Sequence, residues 1–274
     1  MKQPVILVIS GSDSISGAGM QADIKTASLL GVYSVCAVTA VTAQNSRGIR
    51  SIMNIEPAMV HDQIEAVLED VTPQAVKIGM LPSARHVGML SDVIREHDLP
   101  NVVVDPILAA TSGDSLNGNK LATADAILNK LAPLSTCVTP NIPEASFYLE
   151  TAGLATPQGV TDIAETLLDV FHSKSVVLKG GHSDEDKHTT DHICLRRNNI
   201  KTFDKVSRCK IDTSNLHGSG CVFSSAMACF LALGYGIDEA FRKANEFVWH
   251  AIVAAKESYP YEGYGPLYLF PKFK

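Results

Sequence analysis

Short runs of β-branched and apolar residues alternate along this chain with longer segments of helical periodicity, and nearly every run stops at a polar residue. Val5–Ile9, Val35–Val41, Val76–Met80, Val102–Val104, Thr136–Thr139 and Val176–Leu178 read as strands. Val5–Ile9 is continuously apolar, as strands buried on both faces are. Between them lie helical patterns. Met20, Ile24, Ala27 and Leu30 fall on one helix face, and Gly31 follows as a C-terminal cap. Pro57 opens a helix lined by Val60, Ile64, Val67 and Leu68, at a position where its missing N–H costs nothing. Further helices are expected from about Ser83, Gly218 and Asp238. Ile193–Leu195 and Lys201–Phe203 read as a hairpin turning through Arg-Arg-Asn-Asn. The alternation predicts one α/β domain over residues 1–274, with a mostly parallel sheet and helices on both faces.

In such sheets ligands gather at the carboxyl ends of the strands. Here those ends carry Ser12 and Asp13, Gln44 and Asn45, Asp105, Asn141 and Lys179. A net charge of −6 argues against a nucleic-acid partner. No apolar run is long enough to span a bilayer, and the N-terminus lacks a signal-peptide layout. None of the six cysteines forms a Cys-x-x-Cys pair, so neither zinc nor a disulfide framework is expected. These features predict a cytoplasmic protein.

Two glycine motifs carry chemistry. Gly17-Ala18-Gly19-Met20-Gln21-Ala22 matches the dinucleotide fingerprint, but the loop before it is long and no acid ends the second strand, so nicotinamide binding is disfavoured. The glycines there either permit close backbone packing or belong to a small-substrate loop in which Asp13 and Asp23 accept hydrogen bonds. The second motif, His217-Gly218-Ser219-Gly220-Cys221, runs directly into an apolar helix. The amides of Ser219, Gly220 and Cys221 are expected to be free and to form a phosphate site with the helix dipole. The same field would favour thiolate at Cys221, which could accept a proton from an attacking hydroxyl. The alternatives are a packing role for Cys221, or a cysteine hydrolase using His217 and Asp212. Asp105 and Glu144 are hard oxygen ligands suited to magnesium held mostly through water. No Gly-x-x-x-x-Gly-Lys-Ser/Thr is present, which excludes a P-loop enzyme.

Taken together, SGSDSISGAGMQADIKT, VTAQNSRG, KIGML, VDPILAATSG, VTPNIPEA, VLKGGH, HGSGC and the tail GYGPLYLF resemble the hydroxymethylpyrimidine/phosphomethylpyrimidine kinases of thiamine biosynthesis, in the ribokinase-like superfamily. The resemblance spans nearly the whole chain. It implies a ribokinase-like three-layer α/β/α sandwich, a homodimer, and phosphorylation of a small-molecule pyrimidine with ATP and Mg2+. Carried over by position, it implies Cys221 as base and an anion hole at Gly218, Ser219 and Gly220. It also implies Asp105 and Glu144 at the metal and phosphate, and Asn141 and Lys179 near the nucleotide. The pyrimidine pocket would be formed by Ala18, Asp23, Gln44, Met80 and Ile107.

Three positions depart from the family pattern. Asn245 stands where the family usually has a lysine that approaches the ATP phosphates, and Lys243, two residues earlier on a helix, should point elsewhere. Leu216 replaces a threonine and Thr42 a pocket valine. The nearest alternative is a pyridoxal kinase, a related activity with a similar glycine-cysteine loop. Gln44 discriminates between the two, because its amide matches the donor–acceptor edge of an aminopyrimidine. Asn245 alone would favour a catalytically idle pyrimidine-binding protein.

Overall fold

The computed structural model describes residues 3–107, 119–180, 187–198, 200–256, 258, 261 and 263–270. Its strands are β1 (Val5–Asp13), β2 (Tyr33–Asn45), β3 (Gly48–Asn54), β4 (Ala75–Ile78), β5 (Val102–Val104), β6 (Cys137–Val138), β7 (Ser175–Leu178), β8 (His188–Arg197) and β9 (Ile200–Cys209). They form one sheet in the order β3-β2-β1-β4-β5-β6-β7-β8-β9. Every pairing from β2 through β7 is parallel, while β3 at one end and β8 and β9 at the other are antiparallel. The parallel strands therefore deliver their carboxyl ends to a common edge.

The helices are α1 (Gly19–Leu29), α2 (Pro57–Leu68), α3 (Ala84–Glu96), α4 (Lys120–Ala126), α5 (Ile142–Thr151), α6 (Val160–Phe171), α7 (Ser219–Ala232) and α8 (Ile237–Ala255). Alternate strand residues face opposite sides of a sheet, and in β1 both sets are apolar. Leu7 and Ile9 join a core with α2–α6, whereas Ile6 and Val8 join a core with α1, α7 and α8. This is the expected three-layer arrangement. The tail returns to the first loop, where Leu267 and Leu269 pack on Ala22, Val222 and Ala251.

Two expectations need correction. The hairpin at β2 and β3 leaves no signal in the sequence: β2 runs on past Val41 to Asn45 and pairs with Gly48–Asn54, whose side chains are mostly exposed and so show no apolar alternation. In α1, Ile24 is exposed, while Asp23 and Thr26 are buried beside Met20 and Ala27. The helix turns a polar group inward because a lysine waits for it, as described below. Pro57, Gly31 and the β8–β9 hairpin stand as expected, with Asn199 of its turn outside the described residues.

Candidate active site

Asp105, the residue after β5, is only 1% exposed. Its Oδ1 accepts from Lys179 Nζ at 2.9 Å and from the Thr139 hydroxyl at 3.3 Å, and its Oδ2 accepts from the Ser224 hydroxyl at 3.2 Å. Four elements thus meet on one carboxylate: the ends of β5, β6 and β7, and the first turn and a half of α7. Burial alone would lower the Lys179 ammonium, but Asp105 and then Glu144 outweigh it and push the group up to about 12. Lys179 is a fixed cation at the strand edge.

Asn141 and Glu144 start α5 with a reciprocal capping box. Asn141 Oδ1 accepts the Glu144 N–H at 2.8 Å, and Glu144 Oε2 accepts the Asn141 N–H at 2.9 Å. Burial pushes the Glu144 carboxyl up, Lys179 opposes it and Asp105 adds to it, with a net rise to about 7. Among the described residues no three His, Cys, Asp or Glu side chains gather into a metal cage. Two nearby carboxylates fit a cation held chiefly through its own water shell, which is how magnesium is commonly bound.

The start of α7 lies against this ion pair. A Cβ built on Gly220 would stand 3.0 Å from Lys179 Nζ and 3.8 Å from Asp105 Oδ2. Gly218 caps the helix with φ +82°, and a Cβ there would meet the Gly17 carbonyl at 2.0 Å, so only glycine serves. The expected set of three free amides is reduced to two. Ser219 donates to the Leu216 carbonyl at 3.1 Å, which leaves Gly220 and Cys221 as the helix-start amides with no carbonyl four residues back within the helix.

Cys221 is buried, and the expectation of a thiolate does not hold in the ligand-free protein. Burial pushes the thiol up to about 12, more than Lys77 and the Gly19 amide lower it, while Asp105 and Asp23 push it further up. Desolvation outweighs the helix-start field here. The hydrolase alternative fails on geometry: His217 Nε2 lies 2.9 Å from Asp13 Oδ2, so the imidazole is paired away from the sulfur, and Asp212 is exposed.

Asp13 is the site residue that sequence reasoning underrated. Its carboxylate accepts the amides of Ile15, Gly17 and Ala18 at 3.0, 3.0 and 2.8 Å. Burial works to raise this carboxyl, but hydrogen bonds from His217, Gln44 and Ala18 hold it below its ordinary value. Asp13 and His217 are 204 residues apart, so no local pattern could announce the pair. Through it the first loop, with Ala18 and Gln44, is tied to the cysteine loop. Met80 lies beside Gly11, with its sulfur 2.9 Å from where a Cβ would be, and the Gly11 carbonyl in turn abuts Gly19. Ile107 is half-buried next to Asp105. The rest of VDPILAATSG, and Gly181 and His182 of VLKGGH, lie outside the described residues. Asp23 stands apart from these pocket residues. It is 0% exposed, with Lys77 Nζ at 2.7 Å on one oxygen and the Ser225 hydroxyl at 2.6 Å on the other.

Residues 13–267 match the phosphomethylpyrimidine kinase family. The chain belongs to that family. It is 33% identical over 250 residues to the hydroxymethylpyrimidine/phosphomethylpyrimidine kinase of Staphylococcus aureus strain MRSA252, covering 90% of this chain and 87% of the relative. Bacillus subtilis pyridoxal kinase, solved as an ADP complex, superposes with a TM-score of 0.83 at 31% identity over 97% of each chain. Phosphomethylpyrimidine kinase from Clostridium difficile 630 superposes with a TM-score of 0.74 at 35% identity, over 92% of this chain and all of the other. The protein is thus an ATP-dependent, ribokinase-like vitamin kinase of the group that joins phosphomethylpyrimidine and pyridoxal kinases. No helix among the described residues is long and apolar enough to cross a membrane.

Within this phosphomethylpyrimidine kinase framework the departures have structural consequences. Lys243 Nζ rests 4.7 Å from the Tyr235 ring centroid and 3.9 Å from Glu239, away from the strand edge, as its helix position suggested. Thr42 donates to the Ser12 carbonyl at 2.9 Å and ties β2 to β1. The Leu216 carbonyl takes the Ser219 amide. Asn245 is buried and bonded on both sides of its amide.

The Lys77–Asp23 pair yields a stability prediction. Lys77→Met strands a buried carboxylate and should cost about 3–5 kcal/mol. Lys77→Met with Asp23→Leu removes both charges and should recover most of that loss. Urea denaturation of the single and double variants measures both. A double variant no more stable than Lys77→Met would show that the pair is not a coupled unit.

Proposed function

We propose that this chain transfers the γ-phosphoryl group of ATP to the hydroxymethyl oxygen of 4-amino-5-hydroxymethyl-2-methylpyrimidine, and then to the resulting monophosphate, in thiamine biosynthesis. The observation that carries the reading is the convergence of the Gly220 and Cys221 amides with the Lys179 ammonium at the edge where the parallel strands end. Amides and a fixed cation in one place offset charge on a transferring phosphoryl group without reorganising during reaction. In this reading the substrate oxygen bonds to the γ-phosphorus as the bond to the β–γ bridging oxygen breaks, and ADP leaves. The hydroxyl proton passes to Cys221. Lys179 and Asn141 lie toward the nucleotide phosphates, and Asp105 and Glu144 would hold magnesium through its waters. Bound there, magnesium would supply further neutralisation of phosphate charge. Ala18, Asp23, Gln44, Met80 and Ile107 belong to the substrate side, where Asp23 acts from beneath the surface through Lys77 and Ser225.

A second reading, pyridoxal kinase, is favoured by the extent of the Bacillus subtilis superposition. In our reading Gln44 is the residue that discriminates between the two. Gln44 lies close enough to Asp13 to help lower its carboxyl, and an acceptor-only carboxylate there would favour the Gln44 amide nitrogen facing it. In that orientation the remaining N–H and the carbonyl oxygen would form a donor–acceptor pair, the complement of an amino group beside a ring nitrogen. Pyridoxal has no such amino group and would leave one Gln44 partner unmet, at about 1–3 kcal/mol, or roughly 5- to 150-fold in preference. ATP turnover with the aminopyrimidine and pyridoxal side by side tests this directly. The wild type should prefer the aminopyrimidine, and Gln44→Met should lose it sharply while keeping pyridoxal use. A wild-type preference for pyridoxal would establish the second reading instead.

The thiol raised to about 12 gives the proton-transfer step a pH signature. A base ionising that high is present as thiolate only in a small fraction at neutral pH. The fraction grows about tenfold per pH unit below the pKa, so turnover should climb steadily from pH 6 to 9. Cys221→Asp, already ionised across that range, should flatten the profile, and Cys221→Ala should lower turnover about 10²- to 10⁴-fold. Near-wild-type turnover in the alanine variant would reduce Cys221 to a packing residue.

A further inference from the structure

Asn245 joins two groups that would otherwise have no common partner. Its Oδ1 accepts from Arg208 Nε at 3.0 Å, and its Nδ2 donates to Asp191 Oδ2 at 2.8 Å. Asp191 Oδ1 accepts the Gly180 amide at 2.8 Å, and Gly180 directly follows Lys179. A hydrogen-bonded path therefore runs from Arg208 on β9, through α8 and β8, to the chain segment that carries the Lys179 cation.

The register explains why the path forms. Thr189 pairs with Arg208 across β8 and β9, so Arg208 shares a sheet face with Asp191, two residues further along. Asn245 and Trp249, one turn apart on α8, cover that face. The Arg208 guanidinium carbon lies 5.8 Å from the Trp249 ring centroid, and Trp249 is itself fixed by donating to the Cys209 carbonyl at 3.1 Å. The guanidinium is thus held at Nε and flanked by a ring. Among the described residues neither terminal nitrogen has a protein partner, and the side chain is partly exposed. An arginine so oriented presents two parallel N–H groups, the geometry that matches two oxygens of a phosphate. A lysine at position 245 would offer no acceptor to Arg208 and would repel it. Asparagine and arginine therefore work as a pair.

We propose that Arg208, oriented by Asn245, binds a phosphate group of the nucleotide and supplies a second cation in addition to Lys179. The proposal rests on the kinase reading above and deepens its nucleotide site. It makes Asn245 a positioning residue rather than a lost function.

Calorimetric titration with ADP, and with adenosine as a phosphate-free control, separates the possibilities. Loss of a charged hydrogen-bond pair corresponds to about 10- to 100-fold in affinity. Arg208→Gln should weaken ADP by that factor and leave adenosine unchanged, with KM for ATP rising in parallel. Arg208→Lys keeps the charge but not the fork, and should fall between. Equal ADP affinity in wild type and Arg208→Gln would overturn the proposal. So would an equal loss of ADP and adenosine, which would mean that Arg208 only clasps α8 to the hairpin. Arg208→Lys binding no better than Arg208→Gln would likewise count against a charge contact. A wild type that binds no ADP at all would remove the kinase reading itself, a result distinct from failure of Arg208 alone.

Discussion

A carboxylate withdrawn from water must be compensated, and the compensation of Asp105 organises the functional edge of this protein. Lys179, Thr139 and Ser224 all donate to it, from three separate elements. Because Ser224 sits a turn and a half into α7, that bond also fixes where the helix begins, and so where the Gly220 and Cys221 amides lie relative to the Lys179 ammonium. A pair buried this deeply contributes little net stability against an apolar replacement. Its consequence is placement: a cation and a helix start are locked together on the ends of parallel strands.

A second buried pair, Lys77 with Asp23, repeats the arrangement one layer down. Asp23 also receives Ser225, the residue after Ser224. Consecutive serines of α7 therefore bond two different carboxylates, one from β5 and one from α1. The third tie is Asp13 with His217, which links the first loop to the residue before Gly218. Three polar contacts of long sequence separation hold the cysteine loop in register with the substrate loop and the strand edge. Apolar packing on both sheet faces supplies the stability that allows such costly contacts inside.

The parallel strands are legible in the sequence where burial on both faces leaves an apolar run, as in Val5–Ile9 of β1, and Val102–Val104 is matched residue for residue. The polar strand ends were legible because a strand that stops at Asp-Pro or Lys-Gly announces its own boundary. The β3 strand was not, since an exposed edge strand needs no apolar pattern. Helical spacing puts Ile24 on a buried face because spacing alone cannot show that a lysine on β4 will draw Asp23 inward. The ionisation of Cys221 departs from what its motif implies for a related reason. A helix start can be read from a glycine motif, but the burial that opposes it comes from elements far away in the sequence, and the charges around it from β4, the end of β5 and α1. The partners of Asn245 were hidden for the same cause, being 37 and 54 residues away.

In the proposed reaction the α7 start, with Lys179 beside it, receives the transferring phosphate. Backbone amide NMR with ADP tests it most directly, because a hydrogen bond to phosphate moves an amide proton strongly. The Gly220 and Cys221 amide resonances should shift on titration, and the Ser219 amide, already donated to Leu216, should shift far less. Unmoved Gly220 and Cys221 signals under saturating ADP would contradict the account.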